Sequence, residues 1–457
     1  MILKMNNLRK LQMSHKYNIM ITVILFFFIA PQILSQQKLS ITVDEAIQLG
    51  LKNSKLLHSS SMRVKASSAR VSEVTSSRLP SIRFTGVYTR LSKIDPFSIV
   101  TPFGSFELAP SILNSYQLKL SLAQPLFTGF RLKSTSEMAD YQLKASEVEF
   151  TKDELETAFT VRNAYWSLFK AQEMNKVVDE IVTQMKAHLK NASNLLAQGM
   201  LTNNDVLKLQ VQLSDVQLKQ LEAQNGVQIA QVNLNNTLGV QLNTEVSVSQ
   251  GEKAMFSNQY PVKTDGELDA LLQKAFDKRG ELKAADYRAK ASESGVTIAK
   301  SRWYPEVSLY GNYYYNRPNQ RVFPSQDAFK DTWDAGVMVS IDIWNWLATS
   351  HQTDQAEAGL AQSLDALGML KDGITLEVTQ NFLNYQQAKQ KIIITKLTVE
   401  QAAENQRTTS EKFKNGVALS SDLIDAEVAL LSAKTNYTSA LVDLELAKAK
   451  LDKSIGE

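Results

Sequence analysis

The sequence has no cysteine and only four histidines among its 457 residues. The absence of cysteine excludes disulfides, thiolate nucleophiles, cysteine-ligated zinc and lipid attachment through a thiol. The sequence also contains no GxSxG, Walker A, GxGxxG, HExxH or EF-hand pattern. His58, His188 and His351 stand apart on stretches of helical character, where a solvated or packed histidine is more frequent than a ligand. We therefore expect no catalytic residue, no metal and no cofactor, and an enzyme is the least favoured class.

An excess of charge of one sign is also missing. Fifty basic and 47 acidic residues give a net charge of +3. Residues 1–35 contain four basic residues and no acid, so the remainder of the chain carries a net charge of −1. Binding to nucleic acid needs a basic surplus that neutralises phosphates. We therefore expect no nucleic-acid partner.

The N-terminal segment has a basic start and a largely apolar run from Ile19 to Ala30, and it ends with Ser35 before Gln36. This order is typical of a secretory signal peptide, and the alternative is an uncleaved anchor. No other stretch reaches the roughly 18–20 apolar residues that a spanning helix requires. We predict that residues 1–35 are a signal peptide and that the exported protein begins at Gln36.

Proline is scarce and unevenly placed, because none of the ten prolines lies within residues 126–260 or 325–457. Proline costs about 3 kcal/mol inside a helix, so long helices can occupy these stretches. In each stretch a helix of roughly 100 Å is predicted, followed by a glycine and a second helix whose apolar spacings of three and four indicate a coiled coil. The long helices are predicted at residues 130–197 and 347–414, and the turns at Gly199 and Gly416.

The two halves of the chain align with each other. An offset of 217 places Gly199 on Gly416 and Asp205 on Asp422, while an offset of 225 places Pro80 on Pro305. A period of this length indicates a two-fold repeat and not a solenoid. We predict that the repeats are residues 36–250 and 251–457.

Alternating apolar residues predict two strands in each half. After a helix predicted over 43–78, the apolar period changes to two at 83–88 and 116–122, and prolines 96, 102 and 110 predict a loop between these strands. In the second half the alternation falls at 307–313 and 333–341. Four of the five tryptophans lie between residues 303 and 346, as an interfacial girdle requires.

A sheet of four strands with one apolar face poses a physical problem. Its edges cannot remain open in a membrane, where every backbone group needs a hydrogen-bond partner. Closed membrane barrels begin at about eight strands, so several copies of the chain would share a barrel of 8, 12 or 16 strands. The alternative is the core of a soluble sandwich.

Several short motifs, in this order and duplicated, resemble the TolC-like outer-membrane efflux channels. They are residues 41–47 (ITVDEAI), 79–81 (LPS), 124–129 (QPLFTG) and the two turn glycines. The resemblance implies a mixed α/β membrane protein, a homotrimer whose twelve-stranded β-barrel in the outer membrane is continued by an α-helical coiled-coil tunnel across the periplasm. One departure is the segment 342–346 (DIWNW), where the family's second copy usually has a proline after the strand.

The same resemblance implies a function and partners. The protein would be a passive exit duct of a tripartite efflux or type I secretion system. It would contact a periplasmic adaptor (membrane fusion) protein, an inner-membrane RND or ABC transporter behind that adaptor, and outer-membrane lipid. The alternative from another class is a structural or adhesive surface coiled coil without transport activity.

Two groups of site residues follow from the resemblance. The turns gripped by the adaptor would be Gly199, Met200, Leu201, Gly416, Val417 and Ala418, although a need for a left-handed glycine explains the two glycines equally well. The closed periplasmic mouth would carry Asp205, Asp422 and Asp425, for which helix capping is the alternative. Family members often have an arginine where this sequence has Ala418.

Overall fold

The structure is a computed structural model that describes residues 39–95, 97–109, 111–248 and 267–457. The predicted signal peptide and the predicted N-terminus at Gln36 lie outside these ranges. Among the described residues, no helix has both the length and the apolar character of a membrane span.

Eight strands and eight α-helices occur in the described residues. The strands are β1 (Leu39–Ile41), β2 (Ser81–Arg90), β3 (Phe97–Thr101), β4 (Gly104–Ala109), β5 (Asn114–Thr128), β6 (Val246–Val248), β7 (Glu306–Arg317) and β8 (Lys330–Ser340). The helices are α1 (Val43–Asn53), α2 (Lys55–Ser76), α3 (Arg131–Ala197), α4 (Asn203–Leu238), α5 (Glu267–Lys278), α6 (Gly280–Lys300), α7 (Ala348–Lys414) and α8 (Ser420–Ser454).

The first helix is interrupted, so the prediction of one helix over 43–78 is wrong. Ser54 has an extended backbone (φ −65°, ψ 115°) and its hydroxyl accepts a hydrogen bond of 3.2 Å from the amide of Leu57. This side chain caps α2 and offers the backbone an alternative to a continuous helix. Arg279 interrupts the corresponding stretch of the second half between α5 and α6.

Four antiparallel strands form the main sheet, in the order β2-β5-β7-β8. β2 and β8 each have one neighbour only within the described part of the chain, so both edges are open. All four predicted strands therefore exist, and each contains more residues than the alternating segment that predicted it. The sheet begins where α2 and α6 end, which places all four strands beyond one end of the helices.

The segment between β2 and β5, for which the sequence predicts a loop, contains a β-hairpin. β3 pairs with β4, the turn between them contains Pro102, and Gly104, whose φ is +130°, begins β4. Because Pro102 occupies the turn, it removes no hydrogen bond from either strand. The short parallel pair β1–β6 is a second feature that the alternation did not predict.

The four longest helices form two antiparallel hairpins, α3–α4 and α7–α8. α3 and α7 each have 67 residues, and each begins one residue after the predicted position. α7 runs without a break through its three glycines. The predicted coiled-coil seam is buried near the turns, at Val206, Leu209, Val216, Leu423 and Leu430. A second core packs β1, β6 and α1 against the middle of α3, around Tyr165 and Leu168.

Each passage from strand to long helix ends with two successive residues in the left-handed region. Gly129 (φ +58°) and Phe130 (φ +69°) precede α3, and Trp346 (φ +56°) and Leu347 (φ +62°) precede α7. At Gly129 a Cβ atom would overlap the carbonyl oxygen of Ser301, so only glycine fits. The second corner has the same conformation with a tryptophan in the first position, and that side chain is 83% exposed.

Candidate functional site

One face of the main sheet is apolar and exposed. Alternation and strand register place Phe84, Leu120, Tyr313 and Trp333 in one row across all four strands. Phe84 is 68% and Trp333 is 72% exposed. Further exposed members of this face are Ile82, Tyr88, Leu122, Leu309, Tyr315, Val337 and Val339. An exposed apolar face of this extent marks a surface that meets lipid or another protein.

The opposite face of the same sheet is largely polar. Asn312 donates a hydrogen bond of 2.7 Å from Nδ2 to Asp334 Oδ1, and Arg321 forms a 2.7 Å ion pair with Asp334 Oδ2. The ammonium of Lys119 lies 5.3 Å from the ring centre of Tyr314. The sheet is therefore amphipathic, and its two faces require different surroundings.

The turns at the far end of the helical hairpins have the geometry that glycine permits. Gly199 (φ +75°) donates from its amide to Leu196 O at 2.9 Å, and the Met200 amide donates to Leu195 O at 2.9 Å. Gly416 (φ +72°) and the residue after it repeat both bonds. These paired bonds satisfy the last carbonyls of each long helix and confirm the predicted tight turns.

The six predicted contact residues differ in accessibility. Met200 is 64% and Val417 is 77% exposed, so both present apolar surface to solvent. Leu201 and Ala418 are only partly exposed, because they pack against the core between the hairpins. Leu419, which the sequence did not single out, is also exposed. The exposed apolar surface of the tips is therefore Met200, Val417 and Leu419.

The structure brings the two tips together through a hydrogen bond. The hydroxyl of Ser420 donates to Asp205 Oδ1 at 2.9 Å. Asp205 Oδ2 also accepts from the hydroxyl of Thr202 at 2.6 Å and from its amide at 3.1 Å. The Thr202 hydroxyl, the Ser420 hydroxyl and the Thr202 amide together lower the pKa of Asp205. This carboxylate therefore caps α4 and also ties one hairpin to the other.

The other two predicted acids lie on α8. Asp422 caps that helix, because its Oδ2 accepts from the Leu419 amide at 3.1 Å. Asp425 lies about one turn further along and is exposed. The capping alternative matches the hydrogen bonds of Asp205 and Asp422. That the three acids line a periplasmic mouth stays a prediction.

A buried polar cluster joins three helices about three turns from the tips. Glu427 of α8 accepts hydrogen bonds at Oε1 from His188 of α3 at 2.7 Å and from Gln406 of α7 at 2.6 Å. His188 and Glu427 are both buried, whereas His58 and His351 are exposed. Sequence reasoning missed this cluster because His188 and Glu427 are 239 positions apart. An acid beside the buried heptad positions 423, 426 and 430 is the signal that could have indicated it.

Comparisons with known proteins agree with this architecture. The profile of a family described as "Outer membrane efflux protein" matches residues 46–240 and 271–457. The chain is 22% identical over 339 residues to the alkaline protease secretion protein AprF of Pseudomonas aeruginosa, covering 74% of this chain and 69% of that protein. It is 22% identical over 332 residues to the outer membrane protein TolC of Vibrio cholerae, covering 70% and 72%. The crystal structure of the outer membrane protein VceC from Vibrio cholerae superimposes with a TM-score of 0.75 at 19% identity, covering 91% and 96%.

Proposed function

From the premise that this chain belongs to the outer membrane efflux protein family, we propose that it is the outer-membrane exit duct of a tripartite efflux or type I secretion system. Members of the family are channels of the outer membrane with a periplasmic tunnel, and this protein acts there as a channel. Transport through such a duct is passive and requires no catalytic group.

The main sheet is the observation that carries the proposal. It exposes a continuous apolar face and ends in two open edges, β2 and β8. A sheet of this kind is stable in a lipid bilayer only if its edges are paired. Pairing β2 of one copy with β8 of the next closes a ring in which the apolar face meets lipid. Three copies give twelve strands, the number that the family resemblance selects.

The helical hairpins expose a second apolar seam that supports the same assembly. On α4 it follows a heptad register distinct from the buried one, at Leu207, Val211, Leu218, Leu221 and Val232. On α7 it repeats every seven residues, at Met369, Leu376 and Leu383, and continues to Leu397. Such seams favour coiled-coil contacts between neighbouring hairpins, here between copies. The closed ring of helices would be the periplasmic tunnel.

The tips are the surface that we assign to the adaptor. Met200, Val417 and Leu419 expose apolar side chains on turns whose backbone is fixed by paired hydrogen bonds. A rigid turn loses little conformational entropy when a partner covers it. A periplasmic adaptor would dock there, and an inner-membrane RND or ABC transporter would supply the cargo through that adaptor.

A cross-linking experiment tests the shared sheet. The chain has no cysteine, so Val87→Cys in β2 can be combined with one cysteine at a time along β8. We expect covalent dimers and trimers, and no larger species, for the combinations in register. Single-cysteine variants are the controls, because identical positions lie far apart around a ring. If all pairs give monomers only, the shared barrel is refuted; a tetramer would refute only the choice of twelve strands.

A second experiment tests the docking tips. Met200→Asp and Val417→Asp place a charge on the apolar tip surface, and covering an unpaired charge is costly. We expect both variants to assemble but to lose export and adaptor cross-linking. Asn204→Asp adds the same charge on the first turn of α4 without removing apolar surface, so it should export normally. Normal adaptor cross-linking in both tip variants would exclude this surface.

The acids at the mouth form a separate part of the proposal. In a trimer, Asp422 and Asp425 would each form a ring of three carboxylates, and such rings favour cations. Replacing both with alanine should weaken cation preference in planar bilayers and leave trimer yield nearly unchanged, because a first-turn acid contributes only about 0.3–1 kcal/mol. Unaltered selectivity combined with poor assembly would show that these residues serve only as caps.

A further inference from the structure

Three cations lie on the polar face of the main sheet. Arg83 is opposite Ser121, Lys119 is opposite Thr85, and Lys330 is opposite Asn316. Strand alternation therefore places all three on the face that contains Asn312, Tyr314 and Asp334. We call Arg83, Lys119 and Lys330 the cationic belt.

The negative charges on this face are already neutralised. Asp334 is paired with Arg321 at 2.7 Å, and Glu306 is paired with Arg131 at 2.7 Å. The cations of the belt form no ion pair with any described residue. The Tyr314 ring is approached by Lys119 at 5.3 Å and also by Arg321 at 5.6 Å, so two cations share one aromatic ring. The polar face thus carries an uncompensated positive charge.

We propose that the cationic belt binds polyanionic solutes inside the strand-lined part of the duct. This inference rests on the proposed function, because the polar face encloses a lumen only when copies of the chain close the sheet. Three copies would place nine belt cations around one opening. A cleft lined by one sign of charge between low-dielectric walls focuses the field and concentrates counter-ions. Rings of arginine and lysine are the groups that select anions and phosphates in pores.

The spacing within the belt fits a polyanion better than a single charge. Arg83 and Lys119 are diagonal neighbours on adjacent strands, a relation that separates the residues by roughly 7–8 Å. Successive phosphate or carboxylate groups of one solute can therefore meet both side chains. The acids at the helical tips lie at the opposite end of the molecule, so the two ends of the duct differ in charge sign.

The test is block of conductance by inorganic tripolyphosphate in planar bilayers, with the anion added to one side and then to the other. We expect block from the side of the strands. The double variant Arg83→Gln and Lys119→Gln should need at least a tenfold higher concentration, and each single variant about threefold. Arg83→Lys with Lys119→Arg keeps the charges and should retain block. Lys93→Gln removes a cation beyond the end of β2 and should change block less than twofold.

The outcomes separate this inference from the proposed function. Absence of any conductance by the unaltered protein would overturn the channel and the belt together. Conductance with block that is unchanged in the single and double glutamine variants would overturn the belt alone. Equal block from both sides would also overturn it, because the belt lies at one end only. The single variants give a result even if the double variant fails to assemble.

Discussion

Replacing the buried Glu427 with alanine should loosen the end of the helical tunnel. Glu427 is 1% exposed and accepts hydrogen bonds from His188 and Gln406, which belong to two other helices. Glu427→Ala leaves the buried His188 without an acceptor, at about 1–3 kcal/mol, and removes the bond to Gln406, which is only partly buried and loses less. The two lost hydrogen bonds and the lost packing of the side chain together cost about 3 kcal/mol. The cost falls on the packing of α3, α7 and α8 near the tips.

Amide hydrogen exchange of the detergent-solubilised protein measures this loss locally. A loss of about 3 kcal/mol corresponds to a decrease in protection of roughly 100-fold, and we expect it in residues 181–195 and 420–431. The matched control is Glu404→Ala, which removes an exposed carboxylate paired with Arg407. Such surface pairs contribute about 0.3–0.5 kcal/mol, so protection should change less than threefold.

A double variant shows whether the cost comes from orphaned polar groups or from lost volume. His188→Leu with Glu427→Leu removes both members of the pair and fills the space with apolar side chains. Because such replacement can be nearly neutral, this variant should regain more than half of the lost protection. If Glu427→Ala and the Glu404→Ala control differ by less than threefold, the cluster does not hold the three helices together and the reasoning is refuted.

Three further predictions concern the tips and the N-terminus. Gly416→Ala should lower the unfolding midpoint, because a residue with a Cβ atom is strained by about 1–2 kcal/mol at φ +72°. Gly226→Ala inside α4 should raise the midpoint, because alanine favours a helix more than glycine does. Neither new methyl group meets another atom. Because the pKa of Asp205 is lowered, the stabilisation that its carboxylate gives is complete above the unfolded value of 3.8 and is lost as the pH falls through the folded value. Protection of the tip amides from hydrogen exchange should therefore decrease in acid. The decrease should be smaller in Asp205→Asn. Mass spectrometry of the envelope protein should find Gln36 at the N-terminus, and a retained Met1 would contradict export.

The helices were the most predictable part of the fold, for a simple physical reason. Proline and glycine are the residues that end helices, and the absence of proline from two long stretches left few places for an end. The predicted starts at 130 and 347 are each wrong by one residue, because Phe130 and Leu347 adopt the left-handed conformation just before α3 and α7. The turns at Gly199 and Gly416 are predicted by the same distribution of proline and glycine.

Features that depend on a single side chain were not predictable in the same way. A serine is common in helices, so the cap that Ser54 makes on α2 could not be distinguished from an ordinary helical position. Pro102 favours a loop when the sequence alone is considered, although in a hairpin turn proline is compatible with strands on both sides. The bond from Ser420 to Asp205 joins residues 215 positions apart, and only the packing of one hairpin on the other reveals it.

The two strand-to-helix corners have one backbone conformation and opposite side chains. Gly129 lies where no side chain fits, whereas the indole of Trp346 is 83% exposed and lies edge-on to that of Trp344. In a ring of three copies, corners with Gly129 and corners with Trp346 would alternate, six in all. Their backbones would approximate six-fold symmetry, but their side chains would follow only three-fold symmetry. The rim of the tunnel just below the lipid would therefore carry three indoles separated by three bare positions. In such a ring, lipid headgroups around this rim would meet an exposed indole at three of the six corners.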